Sequence, residues 1–495
     1  MKNKFIYLAI IAAGFASCEP EFENEVGANY TAGDADFTTY VAVGNSLTAG
    51  YMDGTVYKSG QANSFPNLLA QQFALVGGGT FTQPSFEEDV NNLGGFAGVP
   101  NSTRRIIDAS TGTVENIAGT PTITTTSQAT AYNNMGVPGA KSFHLGFPGY
   151  GTLNPYFARH ATSPTATVIG DAMSKNPTFF TNWIGANDVL SYATNGGAQA
   201  DGTTPAADHN LTGNMNPATY GSNDITNSGV FASVYSTLIN TLTSGGAKGV
   251  VATVPSVTSI PYFTTVPYKP VPLDNTFATQ LNSAYAAYNG GLDVAFSNGL
   301  ITNAERLQRK VVFVAGKNPV VIVDSDLTNL SGLGLPSYRM TTSQDLIVLP
   351  ASSFIGTTVG GDPLMINGVS VPLANKWVLT ANEQTKVANA TTAYNNSIRA
   401  IAASKNLAVA DMNAIMNQLV GGLRIETGQI YTANYFSGVA TENKVLFSLD
   451  GVHPNARGYA VIANEIIKVI NEHYNANLPL HYVNNFPGIN IVGSN

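Results

Sequence analysis

Strand-like and helix-like patterns alternate along this 495-residue chain, and that alternation limits the folds open to it. Short β-branched runs such as TTYVAV at 38–43 and GVVATV at 249–254 each end at a Gly or Pro, as buried strands do. Between such runs lie longer segments with the apolar spacing of helices, for example 380–403. Strands that alternate with helices predict an α/β sandwich with a mainly parallel sheet.

The same patterns predict the individual strands and helices and the boundaries of one large domain. The predicted strands cover 38–43, 177–184, 249–254, 311–323, 345–349 and 407–411, and the predicted helices cover 65–75, 170–175, 231–242, 276–296, 380–403 and 454–474. Polar, Gly-rich stretches interrupt the pattern, so we expect a domain over 37–480 with insertions near 76–131, 193–229 and 300–378, followed by a C-terminal tail at 481–495.

The N-terminus has the layout of a secretory signal. Lys2 and Lys4 precede an apolar run over 5–13, which is too short to span a bilayer but suits a signal peptide. Small residues then lead to Cys18, the only cysteine in the chain. We therefore expect residues 1–17 to be a signal peptide.

This junction resembles the lipobox of bacterial lipoproteins, in which the cysteine is lipidated and becomes the first residue. Ala16 and Ser17 match the motif, and Phe15 stands where Leu is usual. The resemblance implies a bacterial envelope protein, specifically an outer-membrane lipoprotein held to the membrane through Cys18, with the acidic segment 18–36 as a flexible tether. The alternative is an ordinary secretory signal in which Cys18 is incidental.

Composition excludes several classes of function. Charged residues are only 11% of the chain and the net charge is −8, with no basic run longer than two residues, so no nucleic-acid partner is expected. A single cysteine rules out a disulfide within the chain and a cysteine-based zinc site. The histidines show no metal-binding spacing, so we expect no catalytic metal and no cofactor.

A serine and an Asp–His pair are the first candidates for chemistry. Ser46 follows the strand at 38–43, so it lies at the sheet edge where open α/β folds bind ligands. Asp450 and His453 lie three residues apart on a loop that enters the last helix, which lets both side chains converge. Asp450 could then orient His453 as a base for a serine. Taken singly, each feature also fits a turn or a helix start.

Amide and glycine residues in two other loops could stabilise a developing negative charge. Asn187 follows the strand at 177–184, and its side-chain amide could donate to an oxyanion. Gly139 lies in NNMGVPGAKS, where its backbone N–H could serve the same purpose. A turn asparagine and a plain Gly/Pro turn are the structural alternatives.

Together, these segments resemble the four blocks of the SGNH (GDSL) hydrolase family in the right order. The matching positions are Gly44, Asn45, Ser46 and Leu47 for G-D-S-L; Asn134, Gly136 and Gly139 for N-x-G-x-x-G; Gly185, Asn187 and Asp188 for G-x-N-D; and Asp450, His453 and Pro454 for D-x-x-H-P. Asn45 replaces the usual Asp at a position that supports the turn. The resemblance covers about half the mature chain.

The resemblance implies a fold and a role for each residue. The fold would be a three-layer α/β/α sandwich of the flavodoxin-like type with loop and β insertions. Ser46 would be the nucleophile and His453 the base, with Asp450 orienting His453. Gly139 and Asn187 would join the Ser46 N–H in the oxyanion hole.

The expected function is hydrolysis of carboxylic esters, of esterase or lipase type, through an acyl-enzyme on Ser46. The partners would be a small-molecule or lipid ester substrate and, through the lipid anchor, a membrane. Two alternatives stay open: a glycan O-acetylesterase, and a non-catalytic surface lipoprotein that binds lipid or glycan.

The segment SIPYFTTVPYKPVPL at 259–273 is a candidate wall for an alkyl chain. It follows the strand that ends at Val254, so it should lie at the catalytic edge of the sheet. Its apolar residues are Ile260, Tyr262, Phe263, Val266 and Tyr268. They favour an acyl ester of short to medium length, although ordinary core packing explains them equally well.

Overall fold

The computed structural model describes residues 29–433 and 444–493. A five-stranded sheet lies at its centre, formed by β1 (Tyr40–Gly44), β2 (Asn134–Gly136), β3 (Phe179–Trp183), β4 (Lys248–Ala252) and β5 (Ala408–Ala410). The strands lie in the order β2-β1-β3-β4-β5, and each neighbouring pair is parallel. The chain is therefore mixed α/β with a parallel sheet, as the alternation of patterns predicted.

The register of the sheet brings three strand ends to one edge. Gly44 at the end of β1 pairs with Gly136 of β2 on one side and with Trp183 of β3 on the other. Successive strands are added in opposite directions from β1, so the gap between β1 and β3 is a topological switch point. Open α/β sheets bind ligands in the crevice outside the carboxyl ends of the strands at such a point.

Fifteen α-helices occur in the described residues. In chain order, α1 to α15 are Ser46–Ala49, Lys58–Ala62, Phe65–Ala74, Pro155–Ala158, Val168–Met173, Asn187–Thr194, His209–Thr212, Ser228–Leu242, Pro261–Thr264, Asn275–Ala284, Ala286–Ser297, Asn303–Arg309, Ala381–Ser404, Met412–Gly421 and Ala456–His473. The predicted helix over 276–296 is thus two helices, α10 and α11, which meet at Tyr285.

Local chemistry explains where the two longest helices begin. At α13, the Thr380 side chain accepts from the Glu383 N–H, and a Glu383 carboxylate oxygen accepts from the Thr380 N–H at 2.8 Å, which is a capping box. At α15, the Asn455 side chain accepts from the Gly458 N–H. Apolar residues on one face of α15, including Ile466 and Ile470, are fully buried.

The predicted insertions carry only short elements outside the central sheet. Their strands form small sheets separate from the central one, in two cases with strands from outside the insertions. One sheet has three strands, Arg105–Asp108, Val114–Asn116 and Ile491–Val492. The two-stranded sheets pair Val271–Leu273 with Gly316–Asn318, Val321–Val323 with Tyr338–Met340, Leu346–Ile347 with Val378–Leu379, and Thr358–Val359 with Asp362–Ile366. A further pair joins Leu423–Arg424 and Ile430–Tyr431. The strands predicted at 311–323 and 345–349 therefore do not extend the parallel sheet.

The start of the described chain contacts residues just after the last helix, α15. Thr31 forms a bridge with Asn477, and the Asp34 N–H donates to the Tyr474 carbonyl. The signal peptide, Cys18 and the first part of the predicted tether fall on residues 1–28, outside the described residues. Within the described ranges, no helix combines the length and the apolar character needed to cross a bilayer.

Candidate active site

The turn after β1 places Ser46 at the carboxyl edge of the sheet. A Cβ on Gly44 would lie 2.2 Å from the Thr48 hydroxyl oxygen, so only glycine lets the chain turn back this closely. The Asn45 side chain accepts from the Leu47 N–H at 3.1 Å and caps α1. Asparagine and aspartate are equally good at this position of a helix, which accounts for Asn45 where the resembled motif has Asp.

Ser46, His453 and Asp450 form a hydrogen-bonded chain. Ser46 Oγ lies 2.9 Å from His453 Nε2, and His453 Nδ1 lies 2.8 Å from Asp450 Oδ2. The His453 and Asp450 side chains are only 13% and 10% exposed. The Tyr51 ring centroid lies 4.5 Å from that of His453 and restricts the imidazole. The order nucleophile, base, carboxylate is the arrangement that activates a serine hydroxyl.

Asp450 is held as an ion by donors from two segments of the chain. Its Oδ1 accepts from the N–H groups of Val452 and His453, both at 2.8 Å, and from the Ser448 hydroxyl at 3.0 Å. Its Oδ2 also accepts from the Gly54 N–H at 3.2 Å. Burial alone would raise the pKa of Asp450, but His453 and these donors hold that pKa well below its usual range. Asp450 can therefore stabilise a positive charge on His453.

The buried residue Asp53 is hydrogen-bonded to the loop that carries Asp450, and it was not among the residues predicted from the sequence. Its N–H donates to the Ser448 hydroxyl at 3.0 Å, and its carboxylate accepts from the Leu449 N–H at 3.0 Å and from the Tyr57 hydroxyl at 2.8 Å. Burial and the charge of Asp450 raise the pKa of Asp53 to about 6, although the Leu449 and Tyr57 donors oppose the rise. No local motif marks Asp53, because Ser448 and Leu449, its partners in this loop, lie 395 and 396 residues away.

The two predicted oxyanion residues lie in loops that meet at the same edge. The Asn187 side-chain amide donates one hydrogen to the Ala140 carbonyl at 2.9 Å, which leaves its second N–H for a ligand. Gly139 has φ +79, in the left-handed region that favours glycine. Within the described residues, the backbone N–H groups of Ser46 and Gly139 have no protein acceptor. Ser46 and Asn187 border the same cavity, and Gly139 directly precedes Ala140, whose carbonyl Asn187 contacts.

Asp188 fixes the loop that carries Gly139 to the start of α6. Its carboxylate accepts from the Ser142 N–H at 2.9 Å and from the Ser142 hydroxyl at 2.8 Å. Burial raises the pKa of Asp188, while the Ser142 donors and the Lys141 charge oppose that rise. These bonds keep Gly139 and Asn187 on rigid backbone, which a preorganised oxyanion site requires.

An apolar cavity of about 110 Å³ opens beside Ser46. Its polar lining residues are Asn45, Ser46, Asn187 and His453, and the rest of the lining is apolar or glycine. Of the candidate alkyl wall at 259–273, only Ile260 lines this cavity; Phe263 is buried in the core and the Tyr262 hydroxyl donates to the Thr194 carbonyl. The wall is built mainly by α14, by residues 446–447 and by α15.

Helix α14, which lines the cavity, was not predicted from the sequence. Met412, Ile415, Met416 and Leu419 all line the cavity, and they follow the i, i+3, i+4, i+7 spacing of one helix face. That spacing is visible in MNAIMNQLVG and would have predicted the helix.

In the described part of the chain, no group of three or more His, Cys, Asp or Glu side chains is arranged to hold a metal ion. The sheet edge brings together a serine hydroxyl, an imidazole bonded to a carboxylate, N–H groups without an acceptor among the described residues and an apolar cavity. No model of a known protein family matches this chain, and no curated protein matches it in sequence.

Proposed function

We propose that this chain is a serine hydrolase that cleaves carboxylic esters through an acyl-enzyme on Ser46. The observation that carries the proposal is the continuous hydrogen-bonded chain from Ser46 Oγ through His453 to the buried carboxylate of Asp450. A purely structural role gives no reason to hold these three groups together beside an apolar cavity and unused N–H donors.

We assign the chain to the SGNH (GDSL) hydrolase family with a three-layer, flavodoxin-like α/β/α fold. The four sequence motifs support this assignment, and so does the strand order, which is one of the two common doubly wound orders. The helices also pack in separate groups, α3 with α15 and α8 with α13, as expected if they cover opposite faces of the sheet.

In the first step, Ser46 Oγ forms a bond to the ester carbonyl carbon while its proton passes to His453 Nε2. The carbonyl oxygen becomes negatively charged and is stabilised by the N–H groups of Ser46 and Gly139 and by the Asn187 amide. The bond to the alcohol oxygen then breaks, and the alcohol leaves with the proton from Nε2.

In the second step, water attacks the acyl-enzyme. His453 Nε2 takes one proton from the water as its oxygen bonds to the acyl carbon, and the same donors hold the second oxyanion. Ser46 Oγ then leaves and regains that proton, which releases the carboxylic acid and restores the enzyme.

The proposal includes attachment to the bacterial envelope through a lipidated Cys18. The support is the signal-like N-terminus, which ends at the only cysteine of the chain. In a host with lipoprotein processing, the wild-type chain should fractionate with membranes and Cys18→Ala should not. Equal partition of the two proteins into the soluble fraction would contradict the anchor while leaving the hydrolase proposal untouched.

The hydrolase proposal is tested by p-nitrophenyl butyrate turnover. Ser46→Ala and His453→Ala should each lose about 10⁶-fold in kcat, because the two residues act as a unit. Ser397→Ala is a matched control, since this half-buried serine lies on α13 and bonds only to a backbone carbonyl. Turnover close to wild type in Ser46→Ala would overturn the assignment.

A further inference from the structure

The cavity beside Ser46 has few polar lining residues. Its four polar lining residues are Asn45, Ser46, Asn187 and His453, and all of them lie at the edge where the ester carbonyl would sit. Beyond that edge the walls offer aliphatic, aromatic and thioether surface. A hydroxyl-rich group placed there would bury donors and acceptors without partners, so its binding would be disfavoured.

Two helices contribute much of this wall. Helix α14 contributes the apolar face Met412, Ile415, Met416 and Leu419, and α15 contributes Val461 and Ile462. Met412, Met416 and Leu419 are buried in the hydrophobic core and also border this empty space. Protein interiors are normally close-packed, so a cavity of this size next to a reactive serine indicates a binding site.

We infer that this cavity binds the aliphatic acyl chain of the substrate, and that the apolar face of α14 limits its length. The inference rests on the proposed function. The acyl group stays bonded to Ser46 through both chemical steps, whereas the alcohol leaves after the first. Contacts with the acyl chain can therefore stabilise both transition states, whereas contacts with the alcohol can stabilise only the first. A cavity that adjoins Ser46 thus contributes more to catalysis if it binds the acyl chain.

The size of the cavity sets the expected chain length. A dry cavity of about 150 Å³ accommodates benzene, so about 110 Å³ suits four or five carbons beyond the carbonyl. Each methylene moved from water into such surroundings is worth about a factor of four. The value of kcat/KM should therefore rise about 250-fold from the acetate ester to the hexanoate ester, which has four more methylenes, and then level off or fall.

The first test measures kcat/KM of the full-length chain with p-nitrophenyl esters from acetate to decanoate. A second series uses methyl to hexyl acetates, in which only the alcohol grows. We expect a maximum near six acyl carbons in the first series and little change along the second. A maximum at acetate in the first series, or a steep rise along the second, would overturn the inference.

The second test changes the wall. Ile415 is half-buried on the cavity face of α14, so Ile415→Phe should move the maximum about two carbons shorter. Ile462→Phe does the same from α15, in case the first variant does not fold. Val420→Phe is the matched control, because Val420 lies on the same helix but is 56% exposed and outside the cavity lining.

These results separate the inference from the proposed function. If chain-length preference is unaltered in both cavity variants while turnover still requires Ser46, the chain is a hydrolase and the acyl-site inference is wrong. If Ser46→Ala retains activity, the proposed function itself is wrong.

Discussion

Replacing Asp450 with asparagine should leave His453 in a tautomer that cannot accept the serine proton. Three donors converge on Asp450 Oδ1, namely the Val452 and His453 N–H groups and the Ser448 hydroxyl. Besides His453, only the Gly54 N–H among the described residues donates to Oδ2, at 3.2 Å. The amide oxygen of the new side chain therefore takes the Oδ1 position, which puts the amide nitrogen where Oδ2 was, 2.8 Å from His453 Nδ1.

An amide nitrogen at that point can only donate. His453 Nδ1 must then accept, so its proton moves to Nε2, which faces Ser46 Oγ at 2.9 Å. With Nε2 already protonated, the general base is lost, and the carboxylate that would stabilise the imidazolium is lost as well. The expected penalty is about 10⁴ in kcat, or roughly 5.5 kcal/mol in the activation free energy.

The assay is steady-state hydrolysis of p-nitrophenyl butyrate, with circular dichroism to check the fold. KM should change little, because Asp450 does not line the acyl cavity. Asp171→Asn is the matched control, since this buried carboxylate accepts from the N–H and hydroxyl of Thr162 and lies outside the cavity lining. A folded Asp450→Asn protein with kcat within tenfold of wild type would refute the reasoning.

Three further substitutions test separate parts of the account. Asn187→Ala should lower kcat about 10²- to 10³-fold in the same assay with little effect on KM, because its amide donates to the oxyanion formed during reaction; an unchanged kcat would remove Asn187 from that role. Gly44→Ala should lower stability by roughly 1–3 kcal/mol in denaturant titrations, because its Cβ would lie 2.2 Å from the Thr48 hydroxyl oxygen; wild-type stability would contradict the close approach. Burial raises the pKa of Glu383 to about 7 from its usual 4.5, so the folded chain holds a proton that the unfolded chain releases, and stability should fall by about 3 kcal/mol as pH rises from 4.5 to 7. Glu383→Gln can keep the capping box and should flatten that part of the pH dependence of Tm, whereas an unchanged slope would show that Glu383 does not cause it.

The sheet and the candidate catalytic residues could be predicted because their signals are local. β1, β3, β4 and β5 lie within one or two residues of runs rich in β-branched or aromatic residues, and the candidate triad lies in two short motifs. The spacing of Asp450 and His453 already implied that they could converge. Their meeting with Ser46, 407 residues away in sequence from His453, depends on the fold.

The edge strand β2, the small sheets outside the central one and the cavity wall depend on long-range contacts, for which the sequence has no local signal. β2 is the three-residue strand Asn134–Gly136, which has no β-branched residue and was not predicted as a strand. The β-branched run at 311–323 did predict extended chain, but composition does not specify the partner strand, and its strands pair antiparallel outside the main sheet. The segment 259–273 was predicted to form the wall of the cavity because it follows a strand, but only Ile260 lines the cavity. Position after a strand does not tell which apolar segment borders empty space.

The most direct test of the central claim is covalent labelling by a fluorophosphonate probe, because only an activated serine reacts. Intact mass followed by peptide mapping should show one probe on Ser46 of the wild-type chain, and none on Ser46→Ala. His453→Ala should label far more slowly, since the base that activates Ser46 is gone. A wild-type chain that stays unlabelled while folded, or one that carries the probe on another residue, would contradict the account.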